Sequence, residues 1–114
     1  VAITPKSKSS KIYVQSVIPF TNASDGDASF FVDRDSTRLP SAGITSALIN
    51  TGDATNNNAM MSMTATYIDR PSSTSELTYK LKVVTATTTM YINRRGLNTG
   101  FTGATTLTLM EIAG

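Results

Sequence analysis

Apolar and polar residues alternate with a period of two along the segment ELTYKLKVVTATTTMYINR, residues 76–94. The apolar positions are Leu77, Tyr79, Leu81 and Val83, and the polar positions between them are Thr78, Lys80 and Lys82. Successive side chains of a strand point to opposite faces, so this pattern predicts a half-buried β-strand. A second short strand is predicted over residues 89–93, and the two are expected to form a hairpin through residues 85–88.

The rest of the chain repeats short strand-like segments separated by turn residues. Further strands are predicted over residues 11–20, 28–34, 44–50, 60–69 and 104–112. Pro19 has no backbone donor and is expected to mark a strand end or a sheet edge. About seven or eight strands without a helical pattern predict an all-β fold, an antiparallel, jelly-roll-like β-sandwich. Residues 1–114 are long enough for a single domain.

Composition narrows the possible chemistry. The chain contains no Cys, which excludes disulfides and thiolate metal sites, and no His, which removes the commonest general base and metal ligand. The net charge is +2 and the cations are dispersed, so a nucleic-acid partner is not expected. Membrane insertion is not expected either, because no segment approaches the ~20 apolar residues of a spanning helix. No catalytic residues, metal or cofactor are predicted.

Two groups of carboxylates leave alternatives open. Asp25-Gly26-Asp27 is similar to the start of a calcium loop, but Asp-Gly is also a common turn and the closing Glu is missing. Asp33 and Asp35 flank Arg34, which fits either an acid pair for glycoside hydrolysis or, more simply, a local ion-pair cluster.

Three polar loops connect the apolar strands, at residues 21–27, 51–58 and 95–103. Rigid strands that present polar loops are typical of recognition domains. The loop residues expected to contact a receptor are Asp25, Asp27, Asn56, Asn57, Asn58, Arg95 and Asn98. Tyr67 or Phe101 would provide a stacking face if exposed, although an aromatic residue in a sandwich more often belongs to the core.

Five segments in order carry a resemblance to a known family: ITPKSKSSKIYVQSVIPF, RDST, TYKLKV, MYINRR and TLTLMEI. Together they resemble the C-terminal receptor-binding (knob) domain of bacteriophage tail-fibre proteins of the aquatic-phage type. The resemblance implies a homotrimeric β-sandwich at the fibre tip, on the virion and extracellular after release. It also implies that Gly114 is the natural C-terminus and that a fibre region precedes this domain. Arg34, Asp35, Asn93 and Arg94 are expected to serve the framework, tying loops to strands.

The function expected from this resemblance is non-enzymatic adhesion to a bacterial surface glycan or outer-membrane protein, alongside other virion tail proteins. Several weak sites on one trimer would act together through avidity. A purely structural virion domain, such as a head fibre, decoration or tail component, is the alternative. A glycan depolymerase is a third interpretation, which would require paired carboxylates in a groove.

Overall fold

The computed structural model describes residues 1–22, 28–39, 49–51, 59–85 and 89–114, and these contain strands and no helix. In chain order the strands are β1 (Ala2–Ile3), β2 (Lys11–Asn22), β3 (Ala28–Arg34), β4 (Thr37–Leu39), β5 (Ile49–Thr51), β6 (Met61–Asp69), β7 (Leu77–Thr85), β8 (Met90–Ile92) and β9 (Thr106–Ile112). The predicted all-β class is therefore confirmed. Of the strand predicted over residues 44–50, only the end lies within the described residues, where β5 begins.

The strands form two antiparallel sheets, and the predicted β-sandwich is confirmed. One sheet has the order β1-β7-β3-β4, and β5 pairs with β3 beyond the part of that strand that pairs with β4. The other is centred on β2, which pairs with β6 along one edge and with both β9 and β8 along the opposite edge. The long strand β2 thus organises one sheet, and the adjacent strands β3 and β7 organise the other.

The hairpin predicted between residues 76–84 and 89–93 is wrong. β7 pairs with β1 and β3, whereas β8 pairs with β2 in the other sheet. The chain therefore passes from one sheet to the other between Thr85 and Met90. The sequence of this link lacks the Asn-Gly or Asp-Gly dipeptide that favours a tight hairpin turn, and β3 supplies the antiparallel neighbour that a hairpin partner would have provided.

Pro19 neither ends its strand nor lies in an edge strand, contrary to the prediction, because β2 continues through it to Asn22 and has neighbours on both sides. The strand tolerates proline because the neighbouring ladder is interrupted there: β9 pairs with β2 as far as Val17, and β8 pairs with it only from Phe20 onward. The carbonyl of Pro19 accepts a hydrogen bond from the Asn93 N–H (2.8 Å) at this interruption. The nitrogen and carbonyl of one residue face the same neighbour, so the missing donor of Pro19 breaks no ladder bond.

The core between the sheets consists of two apolar clusters. The larger contains Ile12, Val14, Val32, Leu39, Leu77 and Tyr79. The smaller contains Ile18, Phe20 and Phe30, with the two phenylalanine rings packed edge to face at 5.7 Å between centroids. Ser16 lies between the clusters on β2, opposite Ala65 of β6. Its buried hydroxyl has no hydrogen-bond partner within the described residues.

A buried polar network ties the two sheets together at the larger cluster. Asp69 of β6 accepts hydrogen bonds from Arg34 Nη1 of β3 (2.7 Å to each carboxylate oxygen) and from the Tyr79 hydroxyl of β7 (2.7 Å). It also accepts one from the backbone N–H of Arg70 (2.9 Å). A buried carboxylate requires such partners, and here they come from both sheets.

The ion-pair cluster predicted for Asp33, Arg34 and Asp35 is therefore wrong in its partners. Arg34 turns toward Asp69, and Asp33 instead lies 4.0 Å from Arg38. Asp35 has a positive φ of 51° and exchanges hydrogen bonds with the backbone of Thr78, so it joins the β3–β4 turn to β7. This is the framework role expected of Asp35.

Candidate functional site

The loop between β8 and β9 is the candidate site, and residues 94–103 are called the arginine loop. β8 and β9 lie end to end along the same edge of β2, so the chain leaves the sheet after Ile92 and returns to it at Thr106. The arginine loop projects from the interruption opposite Pro19. Its position is set by the two strands and by the contacts at its base.

Backbone contacts hold the base of the loop closed. The Asn93 N–H binds the carbonyl of Pro19, and the Gly103 N–H binds the carbonyl of Asn93, both at 2.8 Å. Arg94 and Thr102 form an isolated antiparallel bridge one step further out. The two ends of the loop are therefore fixed to each other and to β2.

Two residues at the base have special conformational requirements. Asn93 adopts a positive φ of 61°, a conformation that asparagine tolerates better than most residues, and its Oδ1 accepts a hydrogen bond from the Thr105 hydroxyl (2.7 Å). Gly103 packs so closely on Pro19 that an added Cβ would lie 2.8 Å from the proline Cβ. The framework role expected of Asn93 is thus confirmed, and Gly103 is required by the close approach.

The outer part of the loop contains an arginine held by two different contacts. Arg95 Nε donates a hydrogen bond to Asn98 Oδ1 (2.9 Å), and Arg95 Cζ lies 4.2 Å from the centroid of the Phe101 ring. Asn98 Oδ1 also accepts the backbone N–H of Gly100 (3.0 Å), which fixes the asparagine in turn. The guanidinium is therefore oriented by the loop itself before any ligand arrives.

Apolar groups stay exposed around this arginine. Phe101 is 59% exposed despite the stacked guanidinium, and Leu97 is 62% exposed. Hydrogen-bond donors beside an exposed aromatic ring can bind a ligand that has both polar and apolar groups. Phe101 is therefore the exposed member of the two aromatic residues considered above, whereas Tyr67 is partly buried against the larger core cluster.

The electrostatic character of the loop is positive. Arg94 stacks on Tyr91 with 4.3 Å from its Cζ to the ring centroid. From residue 77 to residue 110 the sequence contains no Asp or Glu, although it contains Lys80, Lys82 and both loop arginines. Among the described residues, neither loop arginine forms a salt bridge. In the part of the chain that the structure describes, no carboxylate thus competes with a ligand for their charges.

A cavity of about 280 Å³ lies between the sheets next to the base of the loop. Its lining is mostly apolar, with Asn93, Thr105 and Lys82 among the polar contributors. The other lining residues are Ile18, Phe30, Leu81, Val83 and Ile92. Because this space continues from the smaller core cluster, it represents the open end of the sandwich more than a separate pocket.

Of the residues predicted to contact a receptor, the structure brings Arg95 and Asn98 into direct contact. Asn98 acts as an internal brace, because its acceptor oxygen is occupied by Arg95 and Gly100. The sequence carried a signal for this role, since an asparagine two residues before a glycine is typical of a turn closed by its own side chain. The remaining predicted contacts, Asp25, Asp27, Asn56, Asn57 and Asn58, lie outside the described residues.

Two further properties of the described residues bear on function. No cluster of three or more acidic side chains that could hold a metal ion occurs among them. No helix in the same part of the chain is long and apolar enough to cross a membrane.

Comparison with known proteins gives no assignment: no protein-family model, curated protein or solved structure matches the chain.

Proposed function

We propose that the chain is a non-enzymatic receptor-binding domain of a bacteriophage tail fibre, which adheres as a homotrimer to a bacterial surface glycan or outer-membrane protein. The proposal combines the resemblance of the five segments with the geometry of the arginine loop. The observation that carries it is the braced Arg95 beside the exposed Phe101 ring. A binding loop that is already ordered loses less conformational entropy when a ligand binds.

The two sheets serve as a rigid scaffold for this loop. The Asn93 and Gly103 contacts fix the loop to the central strand of one sheet, and the Asp69 network fixes that sheet to the other. Function in such a protein requires only that the loop be presented outward, in several copies. A trimer would multiply one weak contact into stable adhesion.

The structural virion domain is the second candidate, and exposed apolar side chains on the sheets favour it. Met110 and Ile112 on β9 and Val84 on β7 are large and exposed in the single chain. Such residues fit contacts between subunits in an assembled particle. They also fit the proposed trimer, so binding to cells is what separates the two candidates.

The test measures adsorption and assembly on the same sample. The mass of the 114-residue chain is determined by light scattering, and a fluorescent sample is then incubated with a panel of aquatic bacterial isolates. Arg95→Gln is expected to reduce adsorption to a susceptible isolate without lowering the melting temperature. Arg70→Gln is the matched control, because it makes the same change at an exposed arginine that lies at the opposite end of β6 and β2, beside Asp69.

The outcomes separate the candidates. A trimer whose adsorption requires Arg95 supports the receptor-binding proposal. A trimer that binds none of the isolates supports the structural virion role, and a monomer contradicts both assemblies. Shortening of host polysaccharide during the incubation would instead indicate a depolymerase.

A further inference from the structure

We infer that the arginine loop recognises an anionic saccharide, through two parallel hydrogen bonds from the terminal nitrogens of Arg95 to a carboxylate or phosphate on the sugar. This inference rests on the proposed receptor-binding function and specifies the chemical class of the ligand. It follows from three properties of the loop: the orientation of the guanidinium, the absence of a competing carboxylate among the described residues, and the apolar surface beside it.

The orientation leaves the terminal nitrogens of Arg95 for a ligand. Nε is used by Asn98 Oδ1, and one face of the guanidinium is used by Phe101. Within the described residues, Nη1 and Nη2 have no hydrogen-bond acceptor. These two donors form the edge that binds carboxylates and phosphates in a bidentate manner.

The charge of the loop favours an anion over a neutral group. Arg94 and Arg95 are adjacent in sequence, and no carboxylate among the described residues pairs with either. An anion bound to an arginine accepts charge-assisted hydrogen bonds, which are stronger than those that a neutral hydroxyl accepts.

The exposed surface beside the arginine favours a saccharide among anionic ligands. Sugars combine hydroxyl edges with apolar C–H faces, and the exposed Phe101 ring provides an apolar surface next to the donors, with Leu97 exposed on the same loop. A nucleic acid would need a longer row of cations along its backbone, and the loop offers only two. An acidic sugar needs only one pair of parallel donors for its charged group and one apolar surface for its C–H face.

The experiment compares matched probes with and without an anionic group. The 114-residue protein is titrated by isothermal calorimetry with an oligogalacturonate and with its methyl ester, which has the same backbone without free carboxylates. Mannose 6-phosphate and mannose form the corresponding pair for phosphate. Binding of one or both anionic probes, and at least about tenfold weaker binding of their neutral partners, is expected.

Three variants test the role of the two terminal nitrogens of Arg95. Arg95→Gln removes the charge, and Arg95→Lys keeps the charge but removes the planar pair of donors; both are expected to weaken binding about tenfold or more. Arg70→Gln is expected to bind as the wild type does. A single-stranded oligonucleotide is included as a third anion and is expected to bind more weakly than the acidic sugars.

Several results would overturn the inference. These are equal binding of the charged and neutral probes, no binding of either anionic probe, full binding by Arg95→Lys, or tighter binding of the oligonucleotide. Failure of the ligand class is distinguishable from failure of the proposed function. If cells are still bound through Arg95 after periodate treatment of their glycans, the receptor-binding function stands and its ligand is a protein.

Discussion

Replacing Asp69 by alanine should destabilise the domain more than any other single loss of a carboxylate among the described residues. Asp69 is 4% exposed and accepts hydrogen bonds from Arg34, Tyr79 and the backbone N–H of Arg70. Removing it leaves the Tyr79 hydroxyl, whose residue is 0% exposed, without an acceptor. A buried donor that loses its partner costs about 1–3 kcal/mol.

The loss of Asp69 also leaves Arg34 unpaired, which destabilises the domain less than an unpaired, fully buried cation would. Loss of one partner of a buried ion pair costs about 3–5 kcal/mol when the remaining charge cannot reach water. The Arg34 side chain is 20% exposed and can be partly hydrated, so its share falls below that range. The two contributions together give an expected loss of about 3–4 kcal/mol in the free energy of unfolding.

The assay is urea denaturation at a fixed protein concentration, since assembly would otherwise alter the apparent stability. Asp33→Ala is the control, because Asp33 is 4.0 Å from Arg38 and that pair is more exposed, so its loss should cost about 0.5 kcal/mol or less. A cost of Asp69→Ala below about 1 kcal/mol, or no larger than that of Asp33→Ala, would refute the reasoning.

A double-mutant cycle separates the cost of leaving the Tyr79 hydroxyl without an acceptor from the other costs of Asp69→Ala. In the wild-type background, Tyr79→Phe removes one hydrogen bond to a charged acceptor and should cost about 1.5 kcal/mol. In the Asp69→Ala background the same change removes an unsatisfied donor, so it should be neutral or stabilising. Equal costs in both backgrounds would show that the hydroxyl and the carboxylate do not interact.

Two further predictions concern buried hydroxyl groups. Burial, and the hydrogen bond to Asp69, raise the pKa of Tyr79 above its ordinary value of 10.0. The folded state therefore keeps this proton while the unfolded chain loses it, and above pH 10 the free energy of unfolding should fall by about 1.4 kcal/mol per pH unit. Tyr79→Phe should remove this part of the alkaline slope, whereas Tyr13→Phe should retain it; equal slopes in the two variants contradict the prediction. Ser16→Ala should leave the denaturation midpoint unchanged or raise it, because the Ser16 hydroxyl has no hydrogen-bond partner among the described residues. Thr21→Val should lower the midpoint, since Thr21 Oγ1 donates to the Ala59 carbonyl (2.9 Å). A larger loss in Ser16→Ala than in Thr21→Val would show that Ser16 is bonded in solution.

The fold class could be predicted from the sequence because it depends on local alternation. The pattern Leu77-Thr78-Tyr79-Lys80 identifies a half-buried strand wherever that strand pairs. The pairing itself could not be predicted, because β7 is compatible with any apolar antiparallel neighbour and the link to β8 carries no strong turn signal. For the same reason the proximity of Arg34 to Asp69, 35 residues apart in sequence, could not be read from the chain.

The candidate site was predictable to a similar degree. Composition and glycine content identified the 95–103 loop, and the Asn98–Gly100 spacing indicates a side-chain turn. The stacking of Arg95 on Phe101 depends on how the loop folds back on itself, so it required the structure. The exposure of Phe101 ran against the usual preference of aromatic residues for the core.

The position of the loop follows from the residue that most clearly violates the rules for a central strand. Pro19 cannot donate toward the edge of β2 that faces β8 and β9, so a single continuous partner strand would leave one of its acceptors unpaired there. Two shorter strands avoid this cost, because β9 ends its pairing at Val17 and β8 begins at Phe20. The chain that joins them must leave the sheet at the same point, and Gly103 then packs directly on the proline ring. The interruption that accommodates Pro19 thereby places Arg95 and Phe101 outside the sandwich, where a ligand can reach them.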